Sequence, residues 1–124
     1  MKVLLVDDEL ELVSTLAERL SLRGIQADWV VSGEEALVLA EKILYDVAVL
    51  DVKIPRISGL ELKRRLQAKR PALKFLFMTG HGSEDDFRDC AAETGEGCYL
   101  VKPVNIEDLI RKMKELMTPS GETP

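Results

Sequence analysis

Five short runs, mostly apolar, recur along the chain: KVLLV at 2–6, ADWVV at 27–31, VAVLD at 47–51, KFLFM at 74–78 and CYLV at 98–101. Several are apolar at consecutive positions rather than at alternate ones. That pattern suits parallel strands covered on both faces. Between the runs the period changes to that of a helix. Val13, Leu16, Ala17 and Leu20 share one helical face, and Gly24 follows as a C-terminal cap. Ala36, Leu37 and Ala40 mark a second helix. Leu62 and Leu66 mark a third, which must end before Pro71. Ser83 can cap a fourth, whose first turn carries Glu84, Asp85 and Asp86 near the positive end of the helix dipole. Asn105 can cap the last, with Ile106, Leu109, Ile110, Met113 and either Leu116 or Met117 facing the sheet. A strand followed by a helix, five times over, predicts an α/β doubly wound fold. Its parallel sheet has five strands in the order 2-1-3-4-5, with right-handed crossovers and helices on both faces. No internal repeat is visible. Residues 1–117 read as one domain, and 118–124 (TPSGETP) as a flexible tail or the start of a linker.

In such a sheet, sites form beyond the carboxyl ends of the strands. The first run ends at Asp7 and Asp8, with Glu9 behind them; the third ends at Asp51, the fourth at Thr79 and the fifth at Lys102. The predicted strand order makes strands one and three neighbours and brings Asp7, Asp8 and Asp51 into one pocket. Like charges packed so closely repel, and burial raises the cost. No cation stands beside them in sequence. The arrangement suits a hard divalent cation, and Mg2+ needs only one or two direct carboxylates while keeping several waters. The plain alternative is an acidic surface loop, which the apolar strand ending at Asp51 disfavours. An aspartate in such a pocket can attack phosphorus and become an acyl phosphate. Phosphoryl transfer asks little of a protein beyond positioning and charge neutralisation. Mg2+ on one side, the Lys102 ammonium on the other and a Thr79 hydrogen bond would supply both. Taken singly, Thr79 reads as a loop hydroxyl, Lys102 as a solvated amine and Tyr99 as a strand aromatic packed for stability. Only the shared edge lifts them above that.

Composition narrows the field. The chain has 124 residues, 46% of them hydrophobic, and a net charge of −5. That is one domain with room for one core and no disorder signature. Lys and Arg are scattered without a basic block, which excludes nucleic acid as a direct partner. The apolar runs are strand-sized, far short of a membrane span. No signal peptide is read at the N-terminus. Cys90 and Cys98 are the only cysteines. They lack zinc spacing, are too few for a disulfide scaffold, and read as buried free thiols in a reducing cytoplasm.

The motifs taken together resemble the receiver domain of bacterial two-component response regulators, over Lys2 to about Met117. The residues that carry the likeness are Asp7 and Asp8; LDVKIPRISGLEL with Asp51, Pro55 and Gly59; FMTGHG with Thr79; and CYLVKP with Tyr99, Lys102 and Pro103. The resemblance implies a signalling module rather than an enzyme. It would take a phosphoryl group from a sensor histidine kinase or a histidine phosphotransfer protein. Asp51 would be the phosphoacceptor. Mg2+ would sit on Asp7, Asp8, Asp51 and the Lys53 backbone carbonyl. Thr79 would be the switch hydroxyl, Tyr99 the switch aromatic, and the Lys102–Pro103 peptide cis. The switched surface would be the fourth helix, fifth strand and fifth helix, a face that could also support a homodimer. Three features depart from the family's common pattern: Gly80 after Thr79, Gly97 and Cys98 before Tyr99, and the basic Lys53. Lys53 and His81, each two positions past a site residue, are candidates to govern the lifetime of the phosphate at the pocket rim. Histidine titrates near neutral pH.

Rival readings are weaker. A haloacid-dehalogenase-like phosphatase needs a second aspartate two positions past the nucleophile, where Lys53 stands. A flavodoxin-like FMN carrier needs a Ser/Thr-rich loop where Asp7, Asp8 and Glu9 would repel the phosphate. A degenerate receiver serving as an unphosphorylated adaptor conflicts with the complete acidic set.

Overall fold

The computed structural model describes residues 1–80, 88 and 99–118. Five strands form one parallel sheet in the order β2-β1-β3-β4-β5. They are β1 (Lys2–Val6), β2 (Gln26–Val30), β3 (Val47–Asp51), β4 (Lys74–Thr79) and β5 (Tyr99–Val101). The connecting helices are α1 (Leu10–Leu22), α2 (Gly33–Lys42) and α3 (Gly59–Lys69), with a C-terminal helix over Ile106–Met117. The order and the parallel sense are those the periodicity predicts. The expected fourth helix from Ser83, together with His81, Cys90 and Cys98, lies outside the described residues.

The unbroken apolar runs have a direct structural cause. In a strand, successive side chains point to opposite faces, and here both faces are covered. Val3, Leu5, Val47, Val49, Leu76 and Met78 pack with Val13, Leu16 and Leu20 of α1 and with Ile106, Leu109 and Met113 of the C-terminal helix. Leu4, Val6, Ala48, Leu50, Phe75 and Phe77 pack with Ala36 and Ala40 of α2 and with Leu62 and Leu66 of α3. Neither parity of residue could be polar without a buried, unpaired group. Of the two residues proposed to end the inner face of the C-terminal helix, Leu116 packs on the core and Met117 is exposed. The edge strand β2 is less covered, and Trp29 is exposed. Tyr45, buried under α2, donates to Asp28 Oδ2 at 2.5 Å, and burial together with that carboxylate raises its pKa. No helix among the described residues is long and apolar enough to cross a membrane.

Local signals end the helices where the sequence places them. Gly24 has φ of 79°, and its amide and that of Ile25 bond back to Ser21 and Leu20, closing α1. Asn105 Oδ1 accepts from the amides of Glu107 and Asp108. Ser58 Oγ accepts from Glu61 at the start of α3. Gly59, the next residue, bonds through its amide to the Val52 carbonyl at 2.9 Å. A Cβ there would stand 2.2 Å from the Asp51 carbonyl oxygen, so only glycine lets α3 begin this close to the end of β3.

Two substitutions test this architecture by urea denaturation. Asn105→Ala removes a cap worth about 1 kcal/mol. Gly59→Ala forces backbone apart and should cost about 2 kcal/mol or more. A neutral Gly59→Ala would show that β3 and α3 do not meet this tightly.

Candidate functional site: an acidic pocket at the carboxyl edge of the sheet

Backbone hydrogen bonds carry the ladder past the strand ends and so set the positions of the side chains beyond them. The Asp7 amide bonds to the Val30 carbonyl, Val52 to Met78, and Lys102 to Thr79 at 2.8 Å. Asp51 is in register with Met78, and Thr79 with Val101. Asp7, Asp51, Thr79 and Lys102 thus emerge side by side on neighbouring strands, at one edge.

Asp7 and Asp51 are buried and Asp8 is exposed. One carboxylate oxygen from each lies within 4.8 Å of the others. Lys102 Nζ enters this group from the end of β5, 2.7 Å from Asp7 Oδ2 and 3.4 Å from Asp51 Oδ2. It also donates to Glu9 Oε1 at 2.7 Å. Asp7 Oδ1 accepts from the Glu9 amide, whereas Asp7 Oδ2 is buried and has the Lys102 ammonium as its partner. Burial raises the Asp7 carboxyl above the ordinary aspartate range. The Lys102 ammonium and the Glu9 amide pull it back, and the Asp51 charge pushes it further up. Burial works against the Lys102 ammonium, but Asp7, Glu9 and Asp51 outweigh it and raise its pKa.

Thr79 is buried, and Tyr99 is half-buried against the core on the α2–α3 side of the sheet. The Lys102–Pro103 peptide is cis. Lys53 is exposed, and its amide approaches Asp51 Oδ1 at 3.4 Å. His81 lies outside the described residues. Sequence reasoning did not assign Glu9 a partner. It stands out in sequence only as a third carboxylate, and its partner is 93 residues away. Also unforeseen is Lys63 of α3. It is buried, donates to Gln67 at 2.9 Å and lies 5.9 Å from the Phe75 ring centroid, remote in role from the acidic edge.

The set of three carboxylates offers hard oxygen donors within 4.8 Å of one another, which suits a small divalent cation. One of those carboxylates, Asp51, sits where an ammonium can reach whatever it bears. A doubly wound parallel sheet with such an acidic pocket at its carboxyl edge is the architecture of receiver domains. The profile of the response regulator receiver domain matches residues 3–114, and the chain belongs to that family. It is 38% identical over 125 residues to the transcriptional regulatory protein CreB of Escherichia coli, covering 95% of this chain and 54% of that protein. It is 36% identical over 122 residues to the two-component response regulator PhoP of Pseudomonas aeruginosa, covering 98% of this chain and 53% of that one. The chain therefore spans about half the length of these relatives. Among solved structures it resembles the response regulator TrrA of Thermotoga maritima, crystallised in complex with Mg2+-BeF. The TM-score is 0.79 at 32% identity, covering 93% of this chain and 97% of that one. A Burkholderia pseudomallei response regulator with a phosphorylated aspartic acid and a calcium ion aligns at a TM-score of 0.81 and 28% identity, over 94% of this chain and 70% of that one.

The charge balance has a measurable consequence. Without divalent cations, Lys102→Met leaves Asp7 and Asp51 buried without their counter-charge and should lower stability by about 3 kcal/mol. Adding Asp7→Asn should recover most of the loss. Thermal melts in chelator-treated buffer would show it, and an undiminished melting temperature for Lys102→Met would refute the pairing.

Proposed function

We propose that residues 1–117 act as the phosphoacceptor module of a two-component or phosphorelay system. Asp51 takes a phosphoryl group from the phosphohistidine of a sensor kinase or a histidine phosphotransfer protein. The observation that carries this reading is the meeting of Asp7, Asp8 and Asp51 within 4.8 Å, with the Lys102 ammonium 3.4 Å from Asp51.

An Asp51 carboxylate oxygen forms the new bond to phosphorus as the bond from phosphorus to the donor nitrogen breaks. The electron pair leaves with the imidazole. Asp7, Asp8, Asp51 and the Lys53 backbone carbonyl would hold Mg2+, which when bound supplies charge neutralisation on one side of the transferring group. Lys102 supplies it on the other, as a point charge on a flexible stem. Thr79 donates its hydroxyl to a phosphoryl oxygen and is drawn toward it. Tyr99 then turns inward, and the surface of the fourth helix, β5 and the C-terminal helix changes its partners. The downstream partner is a protein that reads that surface, or a second copy of the chain. Lys53, two positions past Asp51, and His81, two positions past Thr79 in sequence, govern the access of water to the acyl phosphate.

Intact-mass spectrometry after incubation with acetyl phosphate and Mg2+ tests the chemistry. One added phosphoryl group is expected, lost with chelator and absent from Asp51→Asn; undiminished labelling of that variant would sink the assignment. Timing the decay of the label in Lys53→Ala and His81→Ala between about pH 6 and 8 tests the rim. Both should change the half-life while leaving the melting temperature near that of the parent, and three identical half-lives would return both residues to the ordinary surface.

A further inference from the structure

Among the described residues, Glu9 is the carboxylate at this edge that phosphoryl transfer leaves without a task. It occupies the N-cap of α1, yet its side chain makes no capping hydrogen bond. The residues favoured at that position are short side chains that reach back to the first amides. Glu9 instead extends toward the pocket and accepts from Lys102 Nζ at 2.7 Å, with its own side chain 61% exposed and that of Lys102 11% exposed. Lys102 therefore lies between an inner pair of acids, Asp7 and Asp51, and an outer one, Glu9.

The inner pair is also where a divalent cation would bind. Lys102 Nζ stands 2.7 Å from Asp7 Oδ2 and is the partner of that buried oxygen. Two cations cannot share that oxygen in a partly buried site without strong repulsion. An entering metal ion must displace the ammonium, and the ammonium needs another anion to avoid an uncompensated charge beside the core.

We propose that Glu9 is a positioning residue that receives Lys102 when the pocket takes a divalent cation. The ammonium withdraws from Asp7 onto Glu9. It thereby stops competing for the metal-facing oxygens, yet stays at the mouth of the pocket within reach of a group on Asp51. This inference rests on the metal-dependent reading above and adds to it a route by which the two cations coexist.

The test is a Mg2+ titration of the whole chain, followed by backbone-amide NMR, for four proteins: the parent, Glu9→Gln, Lys102→Met and the double variant. Neutralising a fixed carboxylate weakens Mg2+ binding by the same factor whether or not a fixed ammonium is present, because Coulomb terms superpose. A difference between the two backgrounds arises only if Lys102 changes place. Glu9→Gln should weaken Mg2+ binding at least threefold more in the parent than in the Lys102→Met background. An equal or smaller factor in the parent would overturn the proposal. Lys102→Gln replaces Lys102→Met if the latter disturbs the amide spectrum. The Lys102 ammonium resonance gives an independent readout in single variants. With Mg2+ bound, its hydrogens should exchange slowly in the parent and fast in Glu9→Gln, and equal exchange would count against the proposal. A parent that binds no Mg2+ overturns the metal reading itself, whereas a parent that binds it with no difference between backgrounds overturns only the role of Glu9.

Discussion

Two buried carboxylates, Asp7 and Asp51, share the Lys102 ammonium at the carboxyl edge of the sheet, and the rest of the site is arranged around that balance. Each acid alone would be expensive to bury, and each raises the cost of the other. The ammonium offsets the cost by standing 2.7 Å from Asp7 Oδ2 and 3.4 Å from Asp51 Oδ2. The site is held together by the Lys102 ammonium, which stands among three acids. Removing the ammonium alone would leave two buried charges uncompensated, whereas replacing the whole charged set by apolar residues would relieve the fold.

The balance holds only because the surrounding layers do not yield. The three central strands bury alternate residues in two separate clusters, one under α1 and the C-terminal helix and one under α2 and α3. Close-packed layers of this type transmit displacement rather than absorb it. The contact of Gly59 with the end of β3 is a close one, because the backbone of the helix start rests on the Asp51 carbonyl. Position and rigidity at Asp51 thus come from a glycine eight residues further along, which makes no contact with the chemistry itself.

Membership of the receiver family and the likeness to response regulators place this chain in signalling. Because it spans about half the length of those relatives, their outputs do not carry over to it.

The strands and the identity of the edge residues were legible in the sequence for local reasons. A strand buried on both faces must be apolar at every position, and each such run stops at the first residue that must be polar. Asp7, Asp51, Thr79 and Lys102 stand at those stops, so the sheet order alone brought them together. Helix faces and the caps at Gly24 and Asn105 follow equally from short-range chemistry. Tertiary structure alone decided the difference between Asp7, fully buried, and its neighbour Asp8, exposed, which composition cannot distinguish. It decided that Glu9 turns from capping its own helix to an ammonium 93 residues away, and that a Cβ at Gly59 would strike the Asp51 carbonyl. Each of these depends on the distance between atoms of separate elements once the sheet has twisted and the helices have packed. No window of sequence contains that distance, because it is set by the summed packing of the whole core.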